Sequence, residues 1–435
     1  MRTAAIWLAC AVLPAASAAQ QTDTVPLARR VWVATKMYES VQLYFGHWQG
    51  VPTLDLDSAY RAYLDEALTT ADRREFDLAS LAFLATLQNG HSDFNDSWLW
   101  QQYGQPLGFR VTRLGGEWVV RDSRVDGLRP GDVLRAIDGA PIAECLVARV
   151  RYASGSSDAA RLASVFGMPF LFPPAFTLTL GDGRTVRVVR GAATGPESGP
   201  RPALDSLNLA EGVPYLTIRG FDEPRVEEAA VAFLRAHAGA PAMVIDVRGN
   251  GGGTTPEALI RALMDRPYTE WTEATTMSVA LFGAYRRIRD VVSPDALGDY
   301  ARGFIDGLSS FDRTMLTTLG RTIRPQQPVY TGRLAVLIDD GCASACEDFV
   351  MLLKVGRRAV LVGSTTFGST GQPYMYDFGD RMSFRVSTKR TSFPDGSPFE
   401  GVGVTPDVPV EPTAADLRAG RDPVLARALS ALRQR

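Results

Sequence analysis

The sequence predicts an α/β protein, and three observations predict it. Residues 333–371 read as strand, turn, helix, strand. Residues 242–253 read as a second buried strand running into a glycine-rich turn. Upstream, residues 24–87 place apolar side chains at helical spacing, and residues 103–190 change to short strands and turns.

At the start, residues 1–18 hold Arg2, an apolar stretch from Ala4 to Leu13, and the small residues Ala16, Ser17 and Ala18. This is the pattern of a cleavable secretory signal. The stretch is too short to span a bilayer, and no later apolar run is long enough. The expectation is an exported chain, periplasmic or secreted, without stable membrane insertion. Residues 19–102 form a helical region. Val31, Ala34, Met37, Val41 and Tyr44 share one face; Tyr60, Leu64, Ala67 and Leu68 make a second set; Phe76, Ala79, Leu81, Leu84 and Leu87 make a third. Asn89 and Gly90 are a stop signal, and His91 follows them. His47 is expected to pack among its aromatic neighbours. His237 is expected at a helix C-terminus, where a cation complements the dipole.

Residues 103–192 read as a β module, with candidate strands at 109–111, 118–120 and 133–137 and a closing hairpin at 176–180 and 185–189. Residues 193–203 are rich in Gly, Pro and Ser and read as a linker. Residues 204–435 then hold the core. Within it, residues 266–327 read as a partly helical segment, either a lid or a plain insertion.

Composition narrows the function. The chain has 435 residues, 46% of them hydrophobic, and a formal net charge of −2. That balance argues against nucleic acid as a partner; nothing in the sequence sets the oligomeric state. Neither HExxH nor paired CxxC occurs, so no metal is expected. The glycine turn fits neither the dinucleotide fingerprint nor the phosphate loop, and no cofactor is expected. Beyond the signal the cysteines are Cys145, Cys342 and Cys346, too few for a disulfide framework. Cys342 and Cys346 flank Ser344 and are expected to be thiols packed around its turn.

Ser344 falls at the first turn of the helix predicted for residues 345–354. A serine there is either an N-cap or a nucleophile beside unpaired backbone N–H groups that can stabilise an oxyanion.

The windows taken together resemble the tail-specific (carboxyl-terminal processing) serine peptidase family, in particular its tricorn-like branch. Asp246-Val-Arg248-Gly-Asn250-Gly-Gly252-Gly253 matches Asp-Leu-Arg-x-Asn-x-Gly-Gly, and Ser344-Ala345-Cys-Glu347 matches the Ser-Ala-x-Glu nucleophile helix. Residues 127–142 resemble the PDZ pattern Gly-Leu-x-Pro-Gly-Asp. Residues 400–408 resemble the tricorn-like Glu-x-x-Gly-Val-x-Pro-Asp-Val. The resemblance implies a ClpP/crotonase-like catalytic core, an N-terminal helical region and an inserted PDZ-like β domain that handles protein or peptide substrates. It implies Ser344 as nucleophile, His91 as general base, Glu400 as its carboxylate, and the N–H groups of Gly252 and Ala345, with Gly251 possible, as the oxyanion hole.

A second branch of the family uses a lysine about 25 residues after the serine, in a Gly-Lys-Gly context. Here Ser369 stands in that place. The only lysines are Lys36, Lys354 and Lys389, none in a matching context. A Ser-His-Glu triad follows from the resemblance, with activity governed by an ionisation near the ordinary histidine value of about 6.5. The PDZ-like module holds none of the triad and is expected to be separable from small-substrate chemistry. A non-catalytic ligand- or peptide-binding protein on the same fold, and an esterase or other acyl-transfer enzyme, stay open.

Overall fold

The computed structural model describes residues 23–192, 202–209, 212–276, 315–325 and 327–433. The signal at 1–18, most of the linker at 193–203 and the middle of 266–327 lie outside the described residues.

The core is a six-stranded sheet in the order Val408–Pro409, Val360–Gly363, Arg333–Ile338, Ala242–Asp246, Pro214–Ile218, Leu204–Asn208. The pairs among the first five are parallel, and the last strand is antiparallel. Alternation sends neighbouring side chains to opposite faces. Leu216, Met243, Ile245, Leu334, Val336 and Ile338 meet the helices Pro224–Ala236, Glu257–Leu263 and Ala345–Val355. Ala242, Val244, Ala335 and Leu337 meet the helix Pro423–Arg433. Both faces are covered, which is why these strands read as unbroken apolar runs. Parallel strands deliver their carboxyl ends to one edge. The glycine turn after Asp246 and the serine turn after Ile338 therefore come out side by side.

A second sheet sets Asp93–Asp96 against Met382–Ser387, with Pro373–Gly379 beyond it. The helices Leu27–Tyr44, Leu56–Thr69 and Arg73–Ala85 pack on it. Asp55 and Asp72 cap the second and third of these helices, accepting from the N–H groups of Ser58 and Glu75. Buried Arg73 donates to Asp96 at 2.7 Å and ties helix to strand. His91 enters one strand of this sheet and Ser369 lies just before another, so the sheet places both.

The module over residues 103–190 is not strands and turns alone. Its hairpin Phe109–Leu114/Glu117–Ser123 and its four-stranded sheet, closed by Ala175–Leu180 and Thr185–Val189, are joined by helices Ile142–Arg149 and Asp158–Ser164. Cys145 and Leu146 of the first bury against the module's own core, and Ser157 caps the second. The described parts of 266–327 are strands, not helix: Tyr268–Thr269, Thr272–Thr276, Met315–Thr318 and Thr322–Ile323. No described helix is long and apolar enough to cross a membrane.

Candidate active site

The turn after Arg333–Ile338 bends sharply into the helix Ala345–Val355. Ser344 sits at the bend with φ +56° and ψ −124°. A non-glycine residue with positive φ persists only where its surroundings hold it. Here the hold is specific. The Ser344 N–H donates to Ser369 O at 3.0 Å and to Glu347 Oε2 at 3.2 Å. The Ala343 N–H donates to Asn250 O at 3.0 Å. Cys342 and Cys346 are joined by a disulfide, with their Cα atoms 5.4 Å apart. This corrects the expectation of two thiols. Cys342 precedes the helix, and the folded-back backbone at Ser344 brings it within the Cα range that a disulfide needs.

The Ser344 hydroxyl lies 3.1 Å from His91 Nε2. His91 is 7% exposed and its backbone N–H donates to Asn89 Oδ1 at 2.9 Å. Burial, with the charge of Arg385, lowers the His91 imidazole to about 4, so the ring is neutral near pH 7 and able to accept a proton. Its other nitrogen, Nδ1, does not meet Glu400. It meets the Ser369 hydroxyl at 2.8 Å. Glu400 stands one step back: its Oε1 accepts from Asn89 Nδ2 at 3.0 Å and from Ser156 Oγ at 2.7 Å. Its Oε2 is buried with no partner at hydrogen-bonding geometry, although the Ser369 hydroxyl and the Thr370 N–H approach closely enough to favour the carboxylate. Burial is the larger effect and pushes the Glu400 carboxyl up to about 7.

Glu347, one turn into the helix, is fully buried. Besides the Ser344 N–H, it accepts from Thr366 Oγ1 and from the N–H groups of Gly368 (2.7 Å) and Ser369 (2.9 Å). Burial pushes it up to about 8 against those donors. The carboxylate thus pins the nucleophile and the loop of Ser369 to the same helix turn.

Gly252 packs against the nucleophile. A Cβ on it would lie 2.7 Å from both Ala343 O and Ser344 Cβ. Its N–H donates to Asn250 Oδ1 at 2.9 Å. The Ala345 N–H belongs to the first helical residue, where backbone donors lack intrahelical partners. Arg248 of the same motif forms paired bonds to Asp246 and Asp422, and Tyr215 also donates to Asp246. These charged residues brace the strand end rather than face the serine.

Residues outside the immediate site have other partners. His47 is buried against Phe45 and bonds Ser387 Oγ at 3.0 Å. His237 ends a helix, and its Nδ1 meets Phe233 O. Lys354 donates to Thr405 O, and Lys389 pairs with Glu273. Among the described residues no cluster of three or more His, Cys, Asp or Glu could hold a metal ion. Beside the Ser369 loop, a cavity of about 670 Å³ is lined in part by Trp271, Asp348, Thr370, Gly371 and Lys389. Sequence reading missed Asn89 and Ser156 as partners of Glu400, and noted Ser369 only as the residue in a lysine's place.

Residues 212–410 match the model of peptidase family S41. The chain is 27% identical over 201 residues to the chloroplastic C-terminal processing peptidase of Tetradesmus obliquus, covering 46% of this chain and 35% of that protein. It is 33% identical over 92 residues to the carboxy-terminal-processing protease of Bartonella bacilliformis, covering 21% of each. The chain thus spans about a third or less of the curated relatives it matches. In fold it is similar to mature CPAF, with a TM-score of 0.69 at 17% identity, over 90% of this chain and 94% of that one.

Proposed function

We propose that the chain is an exported serine peptidase that cleaves protein or peptide substrates through Ser344, His91 and Glu400. The observation that carries this is the 3.1 Å approach of the Ser344 hydroxyl to the neutral Nε2 of a buried histidine, at a strained turn opening a helix. Ser344 Oγ attacks the scissile carbonyl carbon while its proton passes to His91 Nε2. The carbonyl oxygen becomes an oxyanion held by the Ala345 N–H and by the Gly252 N–H, which turns from Asn250 to the substrate. His91 then returns the proton to the leaving amine, and water hydrolyses the acyl-enzyme by the same path. The core is ClpP/crotonase-like, and the module over 103–192 is PDZ-like and presents substrate chains. The cavity beside Thr370 and Gly371 is large enough to receive substrate side chains.

The test is fluorophosphonate labelling of the purified chain together with hydrolysis of a peptide library. Labelling at Ser344, with both signals lost in Ser344→Ala, is the expected result. A wild-type protein that neither labels nor hydrolyses any peptide would instead be a binding protein on this fold.

A further inference from the structure

Three segments that build the active site converge on one carboxylate. Asp348 lies on the helix Ala345–Val355, one turn from Ser344 and about 6 Å along the axis. Its Oδ1 accepts from Trp271 Nε1 at 2.8 Å and from Thr370 Oγ1 at 2.9 Å, and its Oδ2 accepts from Thr255 Oγ1 at 2.6 Å. Thr370 follows Ser369 in the chain, and Thr255 stands three residues after Gly252. The nucleophile helix, the loop beside His91 and the glycine turn therefore meet at Asp348. It lines the cavity of about 670 Å³, together with Thr255, Trp271 and Thr370.

The charges of that cavity do not balance. Among the described residues that line it, Glu257 pairs with Arg261 at 3.0 Å, Glu270 with Arg321 at 3.0 Å and Glu273 with Lys389 at 2.9 Å. Of the four acids, Asp348 alone is without a cation, because all its donors are neutral. A carboxylate offers about four acceptor sites, and three are filled here. The open one is on Oδ2. Burial, which pushes this carboxyl up, also leaves a cation beside it less screened than at an open surface. Ile260, Tyr268, Met351 and Leu352 line the same cavity and give it an apolar wall.

We propose that this cavity selects a lysine side chain flanking the scissile bond of the substrate, with Asp348 as the residue that sets the preference. The proposal rests on the peptidase reading of Ser344 and His91 given above. The lysine stem lies along the apolar wall, as long basic side chains do, and its ammonium donates to the open acceptor on Asp348 Oδ2. One acceptor suits an ammonium, a compact charge with rotatable donors. The planar fork of arginine is matched best where both carboxylate oxygens are open, and here Oδ1 is filled by Trp271 and Thr370. Trp271 is not free to turn away, since its ring packs on those of Phe393 and Phe399 with centroids 5.3 and 4.4 Å distant. Lysine is therefore placed ahead of arginine.

The test starts from a peptide that the full chain cleaves and varies each residue flanking the cleaved bond among lysine, arginine, norleucine and glutamine. Norleucine has the lysine stem without the ammonium. At one flanking position kcat/KM for lysine is expected to exceed that for norleucine by about tenfold to hundredfold, the range for a hydrogen bond to a charged group, and to exceed that for arginine. In Asp348→Asn the lysine and norleucine peptides should come within about threefold of each other, with fluorophosphonate labelling of Ser344 within about threefold of wild type. Lysine no better than norleucine at either position, arginine better than lysine, or a lysine preference that survives in Asp348→Asn would each overturn the proposal. So would an Asp348→Asn variant in which labelling and every peptide fall by one factor, since the carboxylate would then be only a structural tie. The wild-type comparison decides even if Asp348→Asn does not fold. Failure of the peptidase reading shows separately, as a wild type that neither labels nor cleaves. Calorimetry of the lysine and norleucine peptides on Ser344→Ala then decides the pocket alone: tighter binding of lysine supports it, and equal affinity overturns it.

Discussion

His91 and Glu400 carry opposite shifts, and the pair predicts a pH dependence unlike that of a free imidazole. Burial and Arg385 lower His91 to about 4. Burial raises Glu400 to about 7. Above pH about 4 the base is therefore already neutral, and deprotonating it cannot produce a limb near 6.5. What still changes near neutrality is Glu400, whose charged form stabilises the imidazolium. In wild type, kcat/KM should rise through an apparent ionisation near 7, because that ratio reports the free enzyme. In Glu400→Gln the plateau should fall by about a hundredfold, within the range for acid–base groups, and the limb should move down toward 4. A limb that stays near 7 in this variant would assign the ionisation to Glu347, whose charge interacts with that of Glu400. Ser344 and His91 were legible at this scale because each ends a strong local pattern. Ser369, Asn89 and Ser156 were not. They are small polar loop residues whose partners lie 278, 311 and 244 positions away, and no periodicity marks such a contact.

At the scale of the element, the nucleophile turn is held by four ties, hydrogen bonds to Glu347, Ser369 and Asn250 and the Cys342–Cys346 disulfide, none of which its sequence shows directly. The apolar run, the acidic turn and the helical spacing foretold strand, bend and helix, since buried runs and helix starts are local properties. The positive φ at Ser344 is not visible in the sequence, and neither is the disulfide, because only the doubled-back chain at Ser344 brings Cys342 to Cys346. The bridge closes a ring of five residues around the nucleophile. A loop that short removes little entropy from the unfolded chain, so replacing both cysteines by serine should cost about 2 kcal/mol of stability. The larger effect should be on chemistry. With the ring open, small shifts of Ser344 Oγ relative to His91 should slow fluorophosphonate labelling by about tenfold to hundredfold. Labelling as fast as wild type in Cys342→Ser/Cys346→Ser would mean that the Glu347, Ser369 and Asn250 hydrogen bonds suffice to hold the turn. Addition of a dithiol reductant to wild type should act in the same direction, more slowly, because both cysteines are fully buried.

On the scale of the whole molecule, the module over 103–190 is not a detachable presenter. It is stitched to the helical region by Arg151 to Glu66, by Arg74 to Phe170 O and by Ser154 to Ser92 O. It is stitched to the C-terminal segment by Arg418 to Gly131 O. One of its residues enters the site itself: Ser156 donates to Glu400 Oε1 at 2.7 Å and accepts from the Gly90 N–H at 2.9 Å. Its backbone is equally close, since a Cβ on Gly401 would fall 2.5 Å from Ser156 O. The sequence suggested that removing the module would spare small substrates, because no triad residue lies in it. The contacts argue otherwise. Ser156→Ala leaves Glu400 with one donor fewer and strands the Gly90 N–H beside His91, a loss of about 1–3 kcal/mol for buried groups. Its effect should fall on the base and carboxylate, and so on every acyl substrate alike. Hydrolysis of a small activated ester and of a long unfolded chain should drop by the same factor, about tenfold. Deleting residues 103–190 should abolish both. A Ser156→Ala variant that keeps full esterase activity and loses only long-chain cleavage would leave the module its presenting role alone and remove it from the chemistry.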